Sequence, residues 1–559
     1  MDIEDLAKLA GQFDGSTLVA PRTLQEVVST GNCMGCGICE SIVGSDFIKM
    51  EVIPPRRRMR PVFLKEAPPD RVAKAVAACP GAQVGGLPGW RPSSGLEAFV
   101  GQAKSIQKGF ASDPEIRFKA AAAGGLTSLS IHMIESGQVK FVLHVKACAM
   151  YDDIATQGSK LSFSRAEVFE GRGSRYGPVA PLKSLEDALA RAEPFALVAK
   201  PCDINAVRNY ALVDMRVDEF CKCMMTISCG TYADNECVDR FLGNRHIANE
   251  DVEEWRWRGH GCPGPCPYVK TKDGREASLD YVDYWFLNGV DSGPLTYQWR
   301  CKMCADFIGY QADVVVMDCW PGGTPERKSE ITEARKHEWD GWVLIIARTD
   351  RGHDVVESAK AAGLLSLAPA ESTEVLTTQP HQARRAGSNF IRRTAHAQLG
   401  QPLTALDPAA AARVARWALD KSFMDEVLRT GKPAPEAPEA AEELRALLGS
   451  EAEPWAEALL QLPQEHLAYH WDNYKGAKKR LERGDAVEAA KKQDLRNNFC
   501  KEGVARAKLR EVDSSGAGKV TAIQDFPALV VAQQGAACRR LQACSPGNSK
   551  HRHGLGVAA

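Results

Sequence analysis

No stretch of this chain stays apolar for the roughly 20 residues that a bilayer-spanning helix needs. Net charge is missing as well. Seventy Lys and Arg face 71 Asp and Glu, a formal charge of -1, and no domain is basic enough for a nucleic-acid footprint. There is no internal repeat, so a solenoid is not expected. The start, MDIEDLAKLAGQFDG, is acidic and amphipathic, whereas a secretory leader is basic and then apolar. These absences predict no membrane span and no nucleic-acid partner. They suggest a cytoplasmic location, or the plastid stroma in a photosynthetic eukaryote. The one dense basic run, PPRRRMRP (Pro54–Pro61), reads as a solvated loop, with a docking patch for an acidic partner as the alternative.

Cysteine is what the chain has in quantity: 18 residues. In a reducing compartment they are poor disulfide candidates, and their clustering points to metal or redox chemistry. At 559 residues the chain is too long for one core and divides by texture. Residues 1–30 read as an amphipathic arm. Residues 31–90 are cysteine-rich and broken by Pro, Gly and Arg, which suits a small module built around a metal centre. Residues 91–425 alternate strands with helices.

FVLHV (141–145), FALVA (195–199), ADVVVMDCW (312–320) and GWVLIIART (341–349) read as buried strands. VKTKDGREASL reads as a hairpin turning at Asp273-Gly274, so a mixed sheet is expected. Residues 426–559 form an Ala-, Glu- and Lys-rich helical appendage with a disordered end. The fold class is α/β (α+β).

GNCMGCGICES carries Cys33, Cys36 and Cys39 at every third position. Thiolates at that spacing wrap one face of a compact cluster, and Gly35 and Gly37 let backbone N–H groups approach the sulfurs. A fourth ligand directly before proline is common, and Cys79 in CPG meets that description. A zinc knuckle normally offers two separated CxxC pairs, so a [4Fe–4S] cluster is the better expectation.

The later cysteines are scattered. Cys301 and Cys304 form a CxxC suited to a second centre, whose other ligands spacing alone does not select. Cys148, Cys221, Cys223, Cys237, Cys319, Cys500, Cys538 and Cys544 read as small hydrophobes.

Several separated segments then agree. CMGCGIC with CPG, AAAAGGLTSL, GSRYGP, AKPCDINAVR, RGHGCPGP, RCKMCADFIGYQADVVVMDCWPGG, DGWVLIIARTDRG and TQPHQARR occur in order between about Gly31 and Asp420. The chain resembles the beta subunit family of coenzyme F-420 hydrogenase/dehydrogenase, which includes single-chain reductases of chlorophyll-type tetrapyrroles. The resemblance implies a ferredoxin-like N-terminal module, a flavin (FAD, with FMN as second choice) and a further cluster in the body. It singles out Cys202, Cys229, Cys301 and Cys304 as the second set of ligands, giving two [4Fe–4S] clusters, with Cys262 in reserve.

For the flavin, Gly124 and Gly125 open a helix-like segment whose N–H groups can face a phosphate. Read alone, the pair is a tight turn. Family members carry a hydroxyl before the pair, where this chain has Ala123, so Thr127 and Ser128 are the substitute donors. Ser174, Arg175 and Tyr176 supply a donor, a cation and an aromatic face. Lys200 beside Pro201 and Cys202 suits negative charge near the flavin N1 position.

No catalytic residue announces itself. Asp318 and His260 are candidates for a proton donor, although each reads more simply as structural.

The expected function is an oxidoreductase passing electrons from ferredoxin through clusters and flavin to a small organic substrate, such as a chlorophyll-type tetrapyrrole. The alternatives are a subunit exchanging hydride with coenzyme F-420 in a larger complex, and a non-enzymatic metal-stabilised binding protein. A homo-oligomer is compatible with each.

Overall fold

The computed structural model describes residues 20–54, 57–87, 90–147, 157–282, 284, 298–320, 323, 341–386, 393, 402–420 and 423. Most of the N-terminal arm, Cys148, the appendage and its cysteines fall outside the described residues.

Numbered along the chain, β1 (Ile48–Ile53) and β2 (Arg58–Phe63) form a hairpin, and β3 (Gln83–Val84) follows. The main sheet takes β4 (Ser105–Ala111), β5 (Phe141–Ala147), β6 (Gln157–Ser162), β7 (Phe195–Val198) and β8 (Cys221–Ile227). A three-stranded sheet holds β9 (Val252–Arg256), β10 (Pro265–Thr271) and β11 (Glu276–Asp280). The chain returns to the main sheet with β12 (Val314–Asp318), β13 (Val343–Ala347) and β14 (Leu365–Pro369). Last, β15 (Ala405–Leu406) pairs with β3.

The main sheet has eight strands in the order β14-β4-β13-β12-β8-β7-β5-β6. Strands β5, β7, β8 and β12 are parallel. Strand β13 reverses against β12 and β4, β14 reverses against β4, and β6 against β5. The sheet is mixed, as the sequence implied, and the expected hairpin is β10–β11. One consequence governs the rest of the molecule: the carboxyl ends of β4, β5, β7, β8 and β12 share one edge. In open α/β sheets that edge is where ligands bind.

The near-continuous apolar runs of β12 and β13 follow from burial on both faces. Val314, Val316, Val343 and Ile345 pack into a core with the helices Gly125–Glu135 and Asp350–Ala361. Val315, Met317, Leu344 and Ile346 point the other way. They meet the helices Pro201–Ala211, Pro69–Ala78 and Pro408–Leu419 and the buried part of the cysteine-rich segment. Each such side chain stabilises the fold by about 1.5–3 kcal/mol, and truncating Ile345 to Ala would cost about 2–5 kcal/mol.

The basic run departs from expectation. Arg58 to Pro61 lie in β2, and the arginines are engaged with the body. Arg57 pairs with Asp239. Arg58 lies 2.8 Å from fully buried Asp234, and Arg60 donates to Gln298 Oε1 at 2.9 Å. Rather than forming a free loop, the run ties the cysteine-rich segment to residues 234–239 and 298. All described residues belong to one compact unit, Met1–Gly503. Among them no helix is long and apolar enough to cross a membrane.

Candidate functional site

The first cysteine set assembles from one loop and one helix end. Gly35 (φ +69°) and Gly37 (φ +87°) turn the chain between the thiols. A Cβ on Gly35 would stand 2.4 Å from the Met59 carbonyl oxygen, so the hairpin seals the loop from outside. The Gly35 N–H points at Cys33 Sγ, 3.4 Å away. Cys79 caps the helix Pro69–Ala78.

Cys36, Cys39 and Cys79 are buried free thiols and Cys33 is half-buried. Burial pushes Cys36 and Cys39 well up, and takes Cys79 to about 11. Neighbouring thiols add to each shift: Cys79 and Cys39 act on Cys36, Cys33 and Cys79 on Cys39, and Cys33 on Cys79. All four therefore share one locality, and as bare thiolates they would repel one another until a cationic centre joined them.

The second set comes from four sheet-edge and loop positions. Lys200 caps the helix Pro201–Ala211, with Pro201 at the first helical position and Cys202 next. Cys229 follows β8, and Cys301 and Cys304 lie on and after the 3₁₀ turn Trp299–Met303. Burial raises Cys229 to about 12, with Cys301 the next cause and Cys304 also contributing. Burial and then Lys200 act most strongly on Cys202, which Cys229 also influences. The Asp306 N–H points at Cys304 Sγ, 3.4 Å away.

Arg385, in TQPHQARR, donates to the carbonyls of Cys229 (2.8 Å), Gly230 (2.8 Å) and Cys301 (2.6 Å). Gln382 adds a bond to the Cys229 carbonyl at 3.1 Å. Sequence reasoning matched this segment to the family without seeing that it clamps two cysteine-bearing loops.

The two sets adjoin. Met34 packs with Cys202, Cys301, Tyr232 and Val179, and Leu182 N–H donates to the Cys36 carbonyl at 2.9 Å. Arg300 is buried, and its Nη2 donates to the carbonyl of Pro80, beside Cys79. Burial opposes its charge, yet Cys202, Cys304, Cys301 and Cys79 together hold it above the usual guanidinium range.

Four thiols in each group fit a cluster that takes one thiolate per iron. A lone zinc would need thiols gathered about one point at about 2.3 Å. Among the described residues no group of three or more His, Cys, Asp or Glu side chains is arranged to hold a single metal ion.

The residues expected at the flavin divide. Gly124 (φ +78°) is the N-cap of the helix Gly125–Glu135. Packing alone explains both glycines. A Cβ at Gly124 would lie 2.7 Å from Ile116 and 2.9 Å from Ala111, and one at Gly125 3.0 Å from Val316. The observation that points to a ligand is Ser128, whose hydroxyl is buried and has no hydrogen-bond partner. Thr127 is half-buried on the same turn.

Arg175 leaves its Nε unpartnered, while the Tyr176 ring meets Trp257 edge-on at 5.9 Å. Ser174 is half-buried. A helix N-terminus, a hydroxyl and a guanidinium are each the kind of donor that suits a phosphate. Lys200 is engaged within its own helix. Its Nζ lies 2.7 Å from both Asp203 oxygens, and Asp203 and Cys202 keep it charged despite burial, beside the second cysteine set.

Sequence reasoning missed a cluster beside the Gly-pair turn. Arg258 forms a two-pronged pair with Asp318, 2.7 Å on each arm, and lies 3.8 Å from Cys262 Sγ. Tyr281 covers Arg258 at 5.0 Å. Cys262 stands against Gly341, where a Cβ would meet its Sγ at 3.1 Å and Ala123 at 3.5 Å. Cys262 therefore faces Asp318 and the Gly-pair turn, with burial and Asp318 raising it to about 11. Asp318 is committed to Arg258, and His260 packs on Phe118 with its basicity lowered by burial and by Arg256.

Residues 106–186 match the N-terminal domain of the family described as coenzyme F420 hydrogenase/dehydrogenase, beta subunit, and residues 192–373 match its C-terminal domain. Residues 106–373 thus carry both domains of this family. In the beta subunit family, the chain is similar to the coenzyme F420 hydrogenase subunit beta of Methanococcus voltae. They are 23% identical over 277 residues, which is 47% of this chain and 84% of that protein. It is also similar to a chain in a solved structure of the F420-reducing [NiFe] hydrogenase complex from Methanosarcina barkeri. There the identity is 16% and the TM-score 0.41, covering 56% of this chain and 97% of that one.

The matched beta subunit domains contain the Gly pair, Ser174–Tyr176, Lys200 and the second cysteine set. Cys33, Cys36, Cys39 and Cys79 precede both, and TQPHQARR follows them. The matched domains are those of an oxidoreductase component.

Proposed function

We propose that the chain is an iron–sulfur flavoprotein that couples single-electron transfer to exchange of an electron pair with the deazaflavin coenzyme F420. The observation carrying this reading is the junction of two four-cysteine groups at the ligand-binding edge of the sheet, in a chain that carries both F420 beta subunit domains. When bound, clusters would carry single electrons and a flavin, taken as FAD, would convert them to pairs.

The chain's own part is to hold and insulate. Cys33, Cys36, Cys39 and Cys79 would ligate one centre within residues 31–90. Cys202, Cys229, Cys301 and Cys304 would ligate the other in the body. Arg385 and Gln382 fix the carbonyls of the second set. Ser128, Arg175 and the first turn of the helix Gly125–Glu135 would receive the flavin phosphates. Met34, Tyr232 and Val179 keep water from the junction.

A second reading, a self-sufficient reductase fed by ferredoxin and acting on a tetrapyrrole or similar organic substrate, is favoured by one observation: both cysteine groups sit on the same chain.

The test uses anaerobically purified full-length protein with F420 and a low-potential one-electron dye. Reversible F420 reduction supports the first reading. Inertness towards F420, with turnover of a tetrapyrrole driven by reduced ferredoxin, replaces it with the second. A protein that carries neither iron nor flavin refutes both and favours a binding role.

A further inference from the structure

Of the five buried arginines among the described residues, Arg300 is set apart by the cysteines of both groups around it, whereas Arg393 and Arg413 are bonded to the carbonyls of Thr404 and Ala305. Arg258 faces Asp318 in a bidentate pair. Arg348, fully buried, directs its donors at the carbonyls of Val100, Gln102, Ile308 and Gly309. Arg300 is 5% exposed, yet its partners are the Pro80 carbonyl and, at 3.4 Å, the Thr404 hydroxyl. Among the described residues no carboxylate lies within ion-pair distance of it. Two carboxylates lie further off: Asp203, held by Lys200, and Asp306, which accepts from the Tyr310 N–H.

A buried guanidinium without an anion is costly, several kcal/mol by order of magnitude. What surrounds it is sulfur. Its backbone adjoins Cys301, its side chain reaches the residue after Cys79, and its charge acts on Cys79, Cys202, Cys301 and Cys304.

We propose that Arg300 is a positioning residue shared by the two cysteine groups, a fixed positive charge between two anionic thiolate-ligated centres that makes both easier to reduce. This rests on the reading that each group holds an iron–sulfur centre. The counter-charge that the protein fold omits is then supplied by the thiolate-ligated centres themselves. Each gains negative charge on accepting an electron, and a cation between them favours the reduced state of both. A charge so placed also couples them, because the side chain starts beside Cys301 and ends at the carbonyl of Pro80, next to Cys79.

The test compares wild-type protein with R300Q and R300K, purified anaerobically. Iron and sulfide are assayed first, and each centre is then titrated with spin-resonance detection. In iron-replete R300Q both centres should be harder to reduce, each by at least a tenfold change in reduced-to-oxidised ratio at fixed potential, equivalent to 59 mV for one electron. R300K, which keeps the charge and loses the fork, should recover most of that change in both.

Unmoved potentials in iron-replete R300Q overturn the inference, and a change confined to one centre overturns the shared role. If R300Q loses iron while R300K keeps it, the charge is confirmed as the stabilising feature. Equal loss from both variants shows that side-chain shape matters instead and overturns it. Wild-type protein lacking two iron–sulfur centres would end the underlying reading itself.

Discussion

The two cysteine groups solve one problem by different means. The first takes three of its four thiols from a single turn, Cys33 to Cys39, shaped by Gly35 and Gly37. The second gathers Cys202 from a helix start, Cys229 from a strand end, and Cys301 with Cys304 from a 3₁₀ turn, and holds them with Arg385. One set is local backbone geometry. The other is a product of sheet topology, so it depends on distant side chains that grip its loops.

That contrast predicts how each group fails. The largest effect belongs to the ligands. C36S should remove about four of about eight irons while the second centre and flavin remain, and C301S should do the reverse. Iron analysis with spin-resonance spectra of each variant checks this, and loss of both centres from either one would erase the distinction.

Next comes G35A. An added Cβ at 2.4 Å from the Met59 carbonyl should abolish the first centre alone. R385Q should act on the second alone. Losing hydrogen bonds from a charged donor costs about 1.5–3 kcal/mol, so iron release to a chelator should quicken at least about tenfold. C262A should leave the iron of both centres intact, because Cys262 faces Asp318 and Gly341. Iron loss there would return it to the ligand set.

The smallest effect concerns the scaffold. Burial, with Lys160 next, lowers His144 to about 4, below its value near 6.5 in the unfolded chain. Between those values the unfolded state binds the extra proton, so stability present above pH 6.5 is lost progressively as pH falls towards 4. Unfolding midpoints across that window should slope downward, and H144Q should flatten the slope.

What could be read from the sequence follows the same division. The buried strands were legible because β12 and β13 are long β-branched runs, and the first cysteine group because its spacing is local. Residues 58–63 were not legible as a strand. Their arginines look solvated until the body supplies Asp234 and Gln298 across the fold. The partner of Lys200 went unread although Asp203 lies one helical turn along the same segment. The Arg258–Asp318 pair and the position of Arg300 were out of reach, since each joins residues distant in sequence that only the sheet brings together.

The central claim is that one chain carries two iron–sulfur centres and a flavin. Its most direct test is iron, acid-labile sulfide, zinc and flavin analysis of anaerobically purified full-length protein. The account predicts about eight irons, about eight sulfides and about one flavin per chain. Stoichiometric zinc, a single four-iron centre or an absence of flavin would contradict it.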